Sequence, residues 1–333
     1  MKKIRVGING FGRIGKMVFR ILQSHPEIEI VGINDPMPEN TLIYLMKYDS
    51  IHGKFDKKIT VKNNAIHING NKIFHSQEIE PKNIPWKEWK ADIVMDSSGH
   101  NKTRKLLEQH ITAGAKKVIL SCPSEKEVDK TIIIGVNEHT LTSSDKIISN
   151  ASCTSNCAAP LIKILDDAFT IETVFMNTVH PYTNNQRLID FPHKDLRRGR
   201  SAAANIIPTS SSAVKAILEV MPHLKNRFDG IATRVPISDG AITELVATLK
   251  NNVTVAKVNA AVKNQCKTSM KGIVSYCEDP IVSSDIIGNP HSCIFDSLST
   301  KVINNNTIQV LSWYDNEFGY SNRIVDLILM ISA

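Results

Sequence analysis

Ile4-Arg-Val-Gly-Ile-Asn-Gly-Phe-Gly-Arg-Ile-Gly15 is the stretch on which the fold turns. Its first five residues are a short, mostly apolar run of the kind used by a buried parallel strand. Gly10-Phe-Gly12-Arg-Ile-Gly15 follows at once, and Ile14, Met17, Val18, Ile21 and Leu22 then recur at helical spacing. A second strand is predicted over Ile28–Asp35, whose closing acid lies about 20 residues beyond the third glycine. Strand, glycine-rich turn, helix and acidic strand end together make the fingerprint of a dinucleotide-binding βαβ unit. Gly10 allows the tight turn, Gly12 lets the backbone approach a pyrophosphate, and Gly15 lets the helix pack against the strand. The helix N-terminus, with Arg13 and Ile14 in its first turn, then faces the phosphates. Asp35 is placed to hydrogen-bond the adenosine ribose and to repel a 2′-phosphate, which favours NAD over NADP.

The alternation continues. Strands are predicted over Ala91–Asp96, Lys116–Ser121, Thr131–Val136 and Lys146–Ser149, with a helix over Lys102–Ala113. They complete an α/β domain of Rossmann type, a doubly wound parallel sheet. Its last strand delivers the chain to Asn150-Ala-Ser-Cys-Thr-Ser-Asn-Cys157, after which Ala158, Leu161, Ile162, Leu165 and Phe169 repeat at helical spacing. Ser152 is a natural N-cap, so Cys153 falls in the first turn. Unpaired N–H groups and the helix dipole favour an anion there, and the thiol is expected to ionise easily. A thiolate is the nucleophile that covalent catalysis on a carbonyl requires. The plainer reading of such a cysteine is a small hydrophobe in a helix.

Beyond this helix the pattern changes. Strands are predicted over Glu172–His180, Gly230–Val235, Ala241–Leu249, Ile273–Tyr276, Ser292–Asp296 and Thr307–Trp313, with helices over Ser211–Val220 and Val255–Cys266. The expectation is an α+β catalytic domain with a mostly antiparallel sheet, residues 152–316. Residues 1–151, joined by a C-terminal helix over 317–333, form the NAD-binding domain. His180 closes its strand and can exchange a proton near neutral pH; beside Cys153 it would also stabilise a thiolate. The loop-like stretch from His180 to Pro208 carries Arg187, Lys194, Arg197, Arg198 and Arg200. It reads as solvated charge or as a phosphate-recognition loop. Hydroxyl-rich Thr209-Ser-Ser-Ser212, at the start of the following helix, could serve the same anion.

With 333 residues, 42% hydrophobic and 22% charged, the chain can build two cores. A net charge of +7 admits anionic partners, but aromatics are only 6% and the basic residues are mostly dispersed. Nucleic acid is therefore not expected as the primary ligand. Six scattered cysteines suggest neither a disulfide framework nor a zinc site, so no metal is expected. Neither a signal peptide nor a membrane-length apolar run is visible, and a cytoplasmic protein is expected.

Asn150-Ala-Ser-Cys-Thr-Ser-Asn-Cys157 and Ile8-Asn-Gly-Phe-Gly-Arg-Ile-Gly15 resemble the landmarks of the phosphorylating glyceraldehyde-3-phosphate dehydrogenase family. Lys47-Tyr-Asp-Ser50, Gly114-Ala-Lys-Lys117, Asp195-Leu-Arg-Arg198 and Trp313-Tyr-Asp-Asn-Glu-Phe-Gly-Tyr320 are similar to others, in order along the whole chain. The resemblance implies a Cys153 thioester that inorganic phosphate resolves, with His180 moving the proton. It implies that Thr183, Arg198 and Arg234 hold the substrate phosphate, and that Ser152, Ser211 and Arg234 lie near the attacking one. Thr154 and Ser212 belong to the same phosphate-binding neighbourhood. It further implies that Asn316 fixes the nicotinamide carboxamide, that Ser121 lies near the cofactor, that Cys157 is structural, and that the assembly is a homotetramer. Phe191-Pro192 looks like the Leu-Pro of NAD-using members.

The chain departs from the family at several positions. Ser211-Ser212 stands where the family usually has Thr-Gly, Asn185 and Pro181 stand where it often has Asp and a small residue, and Pro36 replaces the more usual Leu. Ser212 adds a side chain where backbone N–H groups approach an anion. The sister activity on erythrose 4-phosphate and a non-catalytic nucleotide- or RNA-binding paralogue are the alternatives.

Overall fold

The computed structural model describes residues 3–62, 65–125 and 127–332. It divides into two compact units, one made of residues 1–132, 139–151 and 321–333, the other of 133–138 and 152–320.

The first unit holds β1 (Ile4–Asn9), β2 (Ile28–Asn34), β3 (Ile59–Lys62), β4 (Ala65–Ile68), β5 (Asn71–Ser76), β6 (Ile93–Asp96), β7 (Lys117–Leu120), β8 (Lys130–Thr131) and β9 (Ile147–Ser149). Their spatial order is β3-β4-β5-β2-β1-β6-β7-β9-β8. From β5 to β8 every pairing is parallel, and only the β3–β4–β5 ribbon is antiparallel. β1 and β6 lie side by side where the winding reverses, and ligands of such sheets bind beyond the strand ends at that switch point. The first helix, Arg13–Leu22, leaves the β1 turn there.

Buried polar groups fix that turn. Fully buried Asp96 accepts from Asn9 Nδ2 at 2.8 Å, Asn101 Nδ2 at 2.8 Å and His110 Nε2 at 2.9 Å. Trp86 Nε1 donates to His110 Nδ1 at 2.9 Å, so the histidine carries its proton on Nε2. Ser97 Oγ donates to the Gly10 carbonyl at 2.6 Å. Gly10 has a φ of +88°, and a Cβ there would overlap the backbone of Ser98. A Cβ on Gly15 would overlap the Gly10 carbonyl. Gly10→Ala is therefore expected to lose about 2–3 kcal/mol of stability in a denaturant melt, since it combines left-handed strain with overpacking. NAD affinity should fall with it.

One predicted strand is corrected. Of Thr131–Val136 only Thr131 lies in a strand, β8. The chain then bends, with Val136 N–H donating to the Ile133 carbonyl at 3.0 Å and Gly135 at a φ of +90°. Ile132, Ile133 and Ile134 are buried in that bend, and an apolar run alone does not distinguish the two outcomes.

The second unit holds β10 (Ile171–Pro181), β11 (Ile207–Ser210), β12 (Phe228–Val235), β13 (Ala241–Leu249), β14 (Val274–Cys277), β15 (Cys293–Ile303) and β16 (Thr307–Tyr314). Their order is β11-β12-β10-β13-β16-β15-β14, antiparallel except for β10–β12 and β14–β15. Helices Cys153–Phe169 and Val255–Gln265 pack on one face. On the other face Phe175, Ile231 and Val246 are 40–47% exposed on three adjacent strands. β11 is a second correction: Thr209 and Ser210, read as the start of a helix, belong to this edge strand, and the helix begins only at Ala213. An edge position tolerates Pro208, which has no N–H to give.

Candidate active site

Ser149 ends β9, and Ala151, buried and at a φ of +55°, turns the chain into the Cys153–Phe169 helix. Ser152 caps it: its Oγ accepts from Ser155 N at 3.1 Å, and its own N–H donates to Ser155 Oγ at 2.9 Å. Cys153 is thereby held at the first helical position, as its sequence context predicts.

His180 comes from a separate element. It sits near the end of β10, 3% exposed, with Nε2 3.4 Å from Cys153 Sγ. In the parallel β10–β12 register His180 lies opposite Arg234. Arg234 Nη1 donates to the Pro181 carbonyl at 2.9 Å and lies 2.5 Å from His180 Nδ1, while its buried Nε has no partner among the described residues. The Pro181 carbonyl is also 2.9 Å from His180 Nδ1. A guanidinium hydrogen can only be donated, so with Arg234 in this position Nδ1 accepts it and the imidazole proton sits on Nε2. Once Arg234 turns to another partner, a proton on Nδ1 can go to the Pro181 carbonyl, and the Nε2 lone pair then faces the thiol.

The electrostatics reverse one expectation. Burial pushes the Cys153 thiol up to about 11, and the Arg234 charge with the Thr154 N–H and hydroxyl offsets only part of that. Burial, then the Arg234 charge, holds His180 down to about 3. A helix terminus favours the anion, but removing a charge from water outweighs it here. Both shifts favour the neutral forms, thiol and imidazole, in this geometry.

Tyr314 was not among the candidates, although it stands in the quoted Trp313–Tyr320 motif. Its buried hydroxyl lies 2.8 Å from Thr154 Oγ1 and 2.9 Å from Thr178 Oγ1, and its ring meets His180 edge-on at 6.0 Å. It thus braces the residue after Cys153 and the imidazole together. Cys157 is fully buried, with Sγ 3.2 Å from Ser312 Oγ.

The basic loop folds towards the same strands. Arg198 Nη2 donates to the Ser210 carbonyl at 3.0 Å, one residue before Ser211-Ser212. Repulsion from Arg198 is among the influences that, after burial, pull the Arg234 guanidinium down. Two mutually repelling guanidinium groups suit an anion. Thr183 lies just past β10, with its N–H donating to Gln186 Oε1 at 3.3 Å. Asn185 Oδ1 lies 3.4 Å from His193 Nε2. Ser212 has a φ of −69° and a ψ of −13°, so its backbone needs no glycine.

In the first unit the residues fit a dinucleotide. A Cβ on Gly12 would meet nothing within 4 Å, so the backbone is open to a phosphate. Asp35 Oδ2 accepts from Phe11 N at 2.7 Å and Oδ1 from Met37 N at 2.9 Å, which aims the carboxylate and leaves lone pairs for hydroxyls. The Arg13 guanidinium is engaged by Asp49, so what Arg13 and Ile14 offer an anion at this helix start is their backbone N–H groups. Ser121 follows β7, with its N–H donating to the Asp96 carbonyl at 2.9 Å. In the second unit Asn316 is 7% exposed, and its buried Oδ1 has no partner among the described residues. That is what an acceptor for a carboxamide N–H requires.

Residues 4–104 match the family model described as glyceraldehyde 3-phosphate dehydrogenase, NAD binding domain, and residues 152–316 match its C-terminal domain. The chain is 47% identical over 332 residues to glyceraldehyde-3-phosphate dehydrogenase 2 of Bacillus subtilis (strain 168), covering 99% of this chain and 97% of that one. It is 48% identical to the Geobacillus stearothermophilus enzyme over 99% of this chain and 98% of the other. The Borreliella burgdorferi enzyme is also 48% identical, over 97% and 98%. The chain belongs to the glyceraldehyde-3-phosphate dehydrogenase family.

Proposed function

We propose that the chain catalyses the NAD-dependent oxidative phosphorylation of D-glyceraldehyde 3-phosphate to 1,3-bisphosphoglycerate through a thioester on Cys153. The observation that carries this is the 3.4 Å approach of Cys153 Sγ to His180 Nε2 beside Arg234. Sγ attacks the aldehyde carbon while the thiol proton passes through Nε2 to the carbonyl oxygen, giving a thiohemiacetal. The Cys153 backbone N–H and protonated His180 stabilise the developing oxyanion. His180 then takes the hydroxyl proton as the hydride leaves. NAD would supply the hydride acceptor, and Asn316 Oδ1 is the group that would receive its carboxamide N–H. Inorganic phosphate attacks the thioester carbonyl, the C–S bond breaks, and His180 returns its proton to sulfur.

The order of charges follows from the raised thiol and the lowered imidazole. With no resting ion pair, proton transfer accompanies attack. An anion engaging Arg234 leaves His180 Nδ1 to donate to the Pro181 carbonyl, and Nε2 becomes the acceptor. The substrate's phosphate, held by Thr183, Arg198 and Arg234, thus prepares the base.

Assays with both aldehydes, with and without phosphate, using NAD and NADP, test the reading. Phosphate-dependent oxidation of glyceraldehyde 3-phosphate with NAD is expected. Faster, phosphate-independent turnover of erythrose 4-phosphate would assign the sister activity instead. Ser212→Gly is expected to lower the KM for inorganic phosphate about two- to fivefold, the worth of one better-exposed hydrogen bond. Phosphate titrations of the two proteins measure it.

The exposed apolar sheet face of Phe175, Ile231 and Val246 supports self-association, here as a homotetramer. The six cysteines are all free, which suits a reducing cytoplasm. Among the described residues no helix is long and apolar enough to cross a membrane.

A further inference from the structure

We propose that Thr209 and Asp195 are positioning residues that aim the Arg198 guanidinium at a phosphate group, an inference resting on the phosphate-binding role read above for Arg198. Thr209 is 8% exposed on edge strand β11, and its hydroxyl works in both directions. It accepts from Arg198 Nε at 2.8 Å and donates to Asp195 Oδ2 at 2.8 Å. The same Asp195 oxygen lies 3.4 Å from Arg198 Nε, and the Ser210 carbonyl takes an Nη2 hydrogen at 3.0 Å. Of the five guanidinium hydrogens, those on Nε and one on Nη2 are spent on this cradle. No group among the described residues takes Nη1, so the Nη1–Nη2 edge keeps a fork of donors for two oxygens of a phosphate.

The cradle selects orientation as well as charge. A guanidinium gripped through Nε can turn only its far edge outward, and its side chain is already 15% exposed and held. The Thr209 hydroxyl, then the Arg198 and Arg197 N–H groups, hold the Asp195 carboxyl below the usual carboxylate range, so it stays ionised as the anchor. With its hydroxyl hydrogen given to Asp195, Thr209 has none left for a phosphate, and the Asp195 carboxylate would repel one. Valine matches the shape of threonine but can neither accept from Nε nor donate to Asp195, whereas serine can do both.

The test is steady-state kinetics of Thr209→Val and Thr209→Ser, with the KM for the aldehyde phosphate and the KM for inorganic phosphate measured separately. Thr209→Val should raise one of the two by about tenfold or more, since a charge-assisted contact is lost, with kcat within about twofold at saturation. The KM that rises identifies which phosphate Arg198 serves. Thr209→Ser should stay within about twofold of the parent on both. Asp195→Asn, which keeps the size and removes the anchor's charge, should move the same KM in the same direction. Unchanged KM values in Thr209→Val, or equal damage in Thr209→Ser, would overturn the positioning role. Arg198→Ala separates the two failures. If it raises a KM while Thr209→Val does not, only the positioning is wrong; if it raises neither, the role of Arg198 falls with it.

Discussion

Replacing Cys153 by alanine is expected to abolish dehydrogenase turnover, by about 10⁴-fold or more, while leaving NAD binding largely intact. Loss of a covalent nucleophile removes the whole two-step route rather than one increment of it. Neither Cys157 nor Ser152, the neighbouring thiol and hydroxyl, can substitute: Cys157 is fully buried and faces Ser312, and the Ser152 hydroxyl is engaged in the helix cap. The fold should tolerate the change, since alanine is a good helix former and the Ser152–Ser155 cap stays in place. NADH formation reads the chemistry, and titration calorimetry with NAD reads the binding. Full activity in the variant would remove the thioester route; loss of NAD binding would mean that Cys153 is structural.

The second large effect is that of His180→Asn, expected to lower kcat by about 10²–10⁴-fold, the usual worth of a general acid–base group. Asparagine keeps a polar group opposite Arg234 but cannot carry the proton between sulfur and oxygen. Two pH dependences follow. Because the folded imidazole titrates near 3 and the free one near 6.5, the unfolded chain takes up a proton between those values that the native chain does not. His180 therefore lowers stability as pH falls through that window, and His180→Asn should flatten the slope of denaturant midpoint against pH. The Cys153 thiol, held up to about 11, should react with a neutral alkylating agent at a rate rising about tenfold per pH unit above neutrality. A plateau already near pH 6 would show a resting thiolate and contradict the neutral pair.

What the sequence disclosed depended on how local the cause was. The β1 turn was legible because tight approach needs glycine, and the geometry at Gly10 and Gly15 bears that need out. Cys153 at a helix start was legible because Ser152 is a cap, a matter of four neighbouring residues. The meeting of Cys153 with His180, and of His180 with Arg234, was not readable from spacing. The first depends on how the Cys153–Phe169 helix packs back on β10, the second on the β10–β12 register across a long connection, and only the family resemblance supplied either. The sign of the thiol's shift was missed for the same reason: a helix end is local, while burial is a property of the packed unit. Thr209 was hidden because Pro208-Thr-Ser reads equally as a turn into a helix or as an edge strand. Tyr314 sat inside a quoted motif, but its hydrogen bonds to Thr154 and Thr178 cross two other elements.

The most direct measurement is a single turnover with glyceraldehyde 3-phosphate and NAD in phosphate-free buffer, quenched in acid and followed by intact-mass and peptide mass spectrometry. The account predicts a burst of NADH stoichiometric with active sites, an acyl adduct on the Cys153 peptide, and rapid loss of that adduct when phosphate is added. Sustained turnover without phosphate, with no adduct on Cys153, would contradict it.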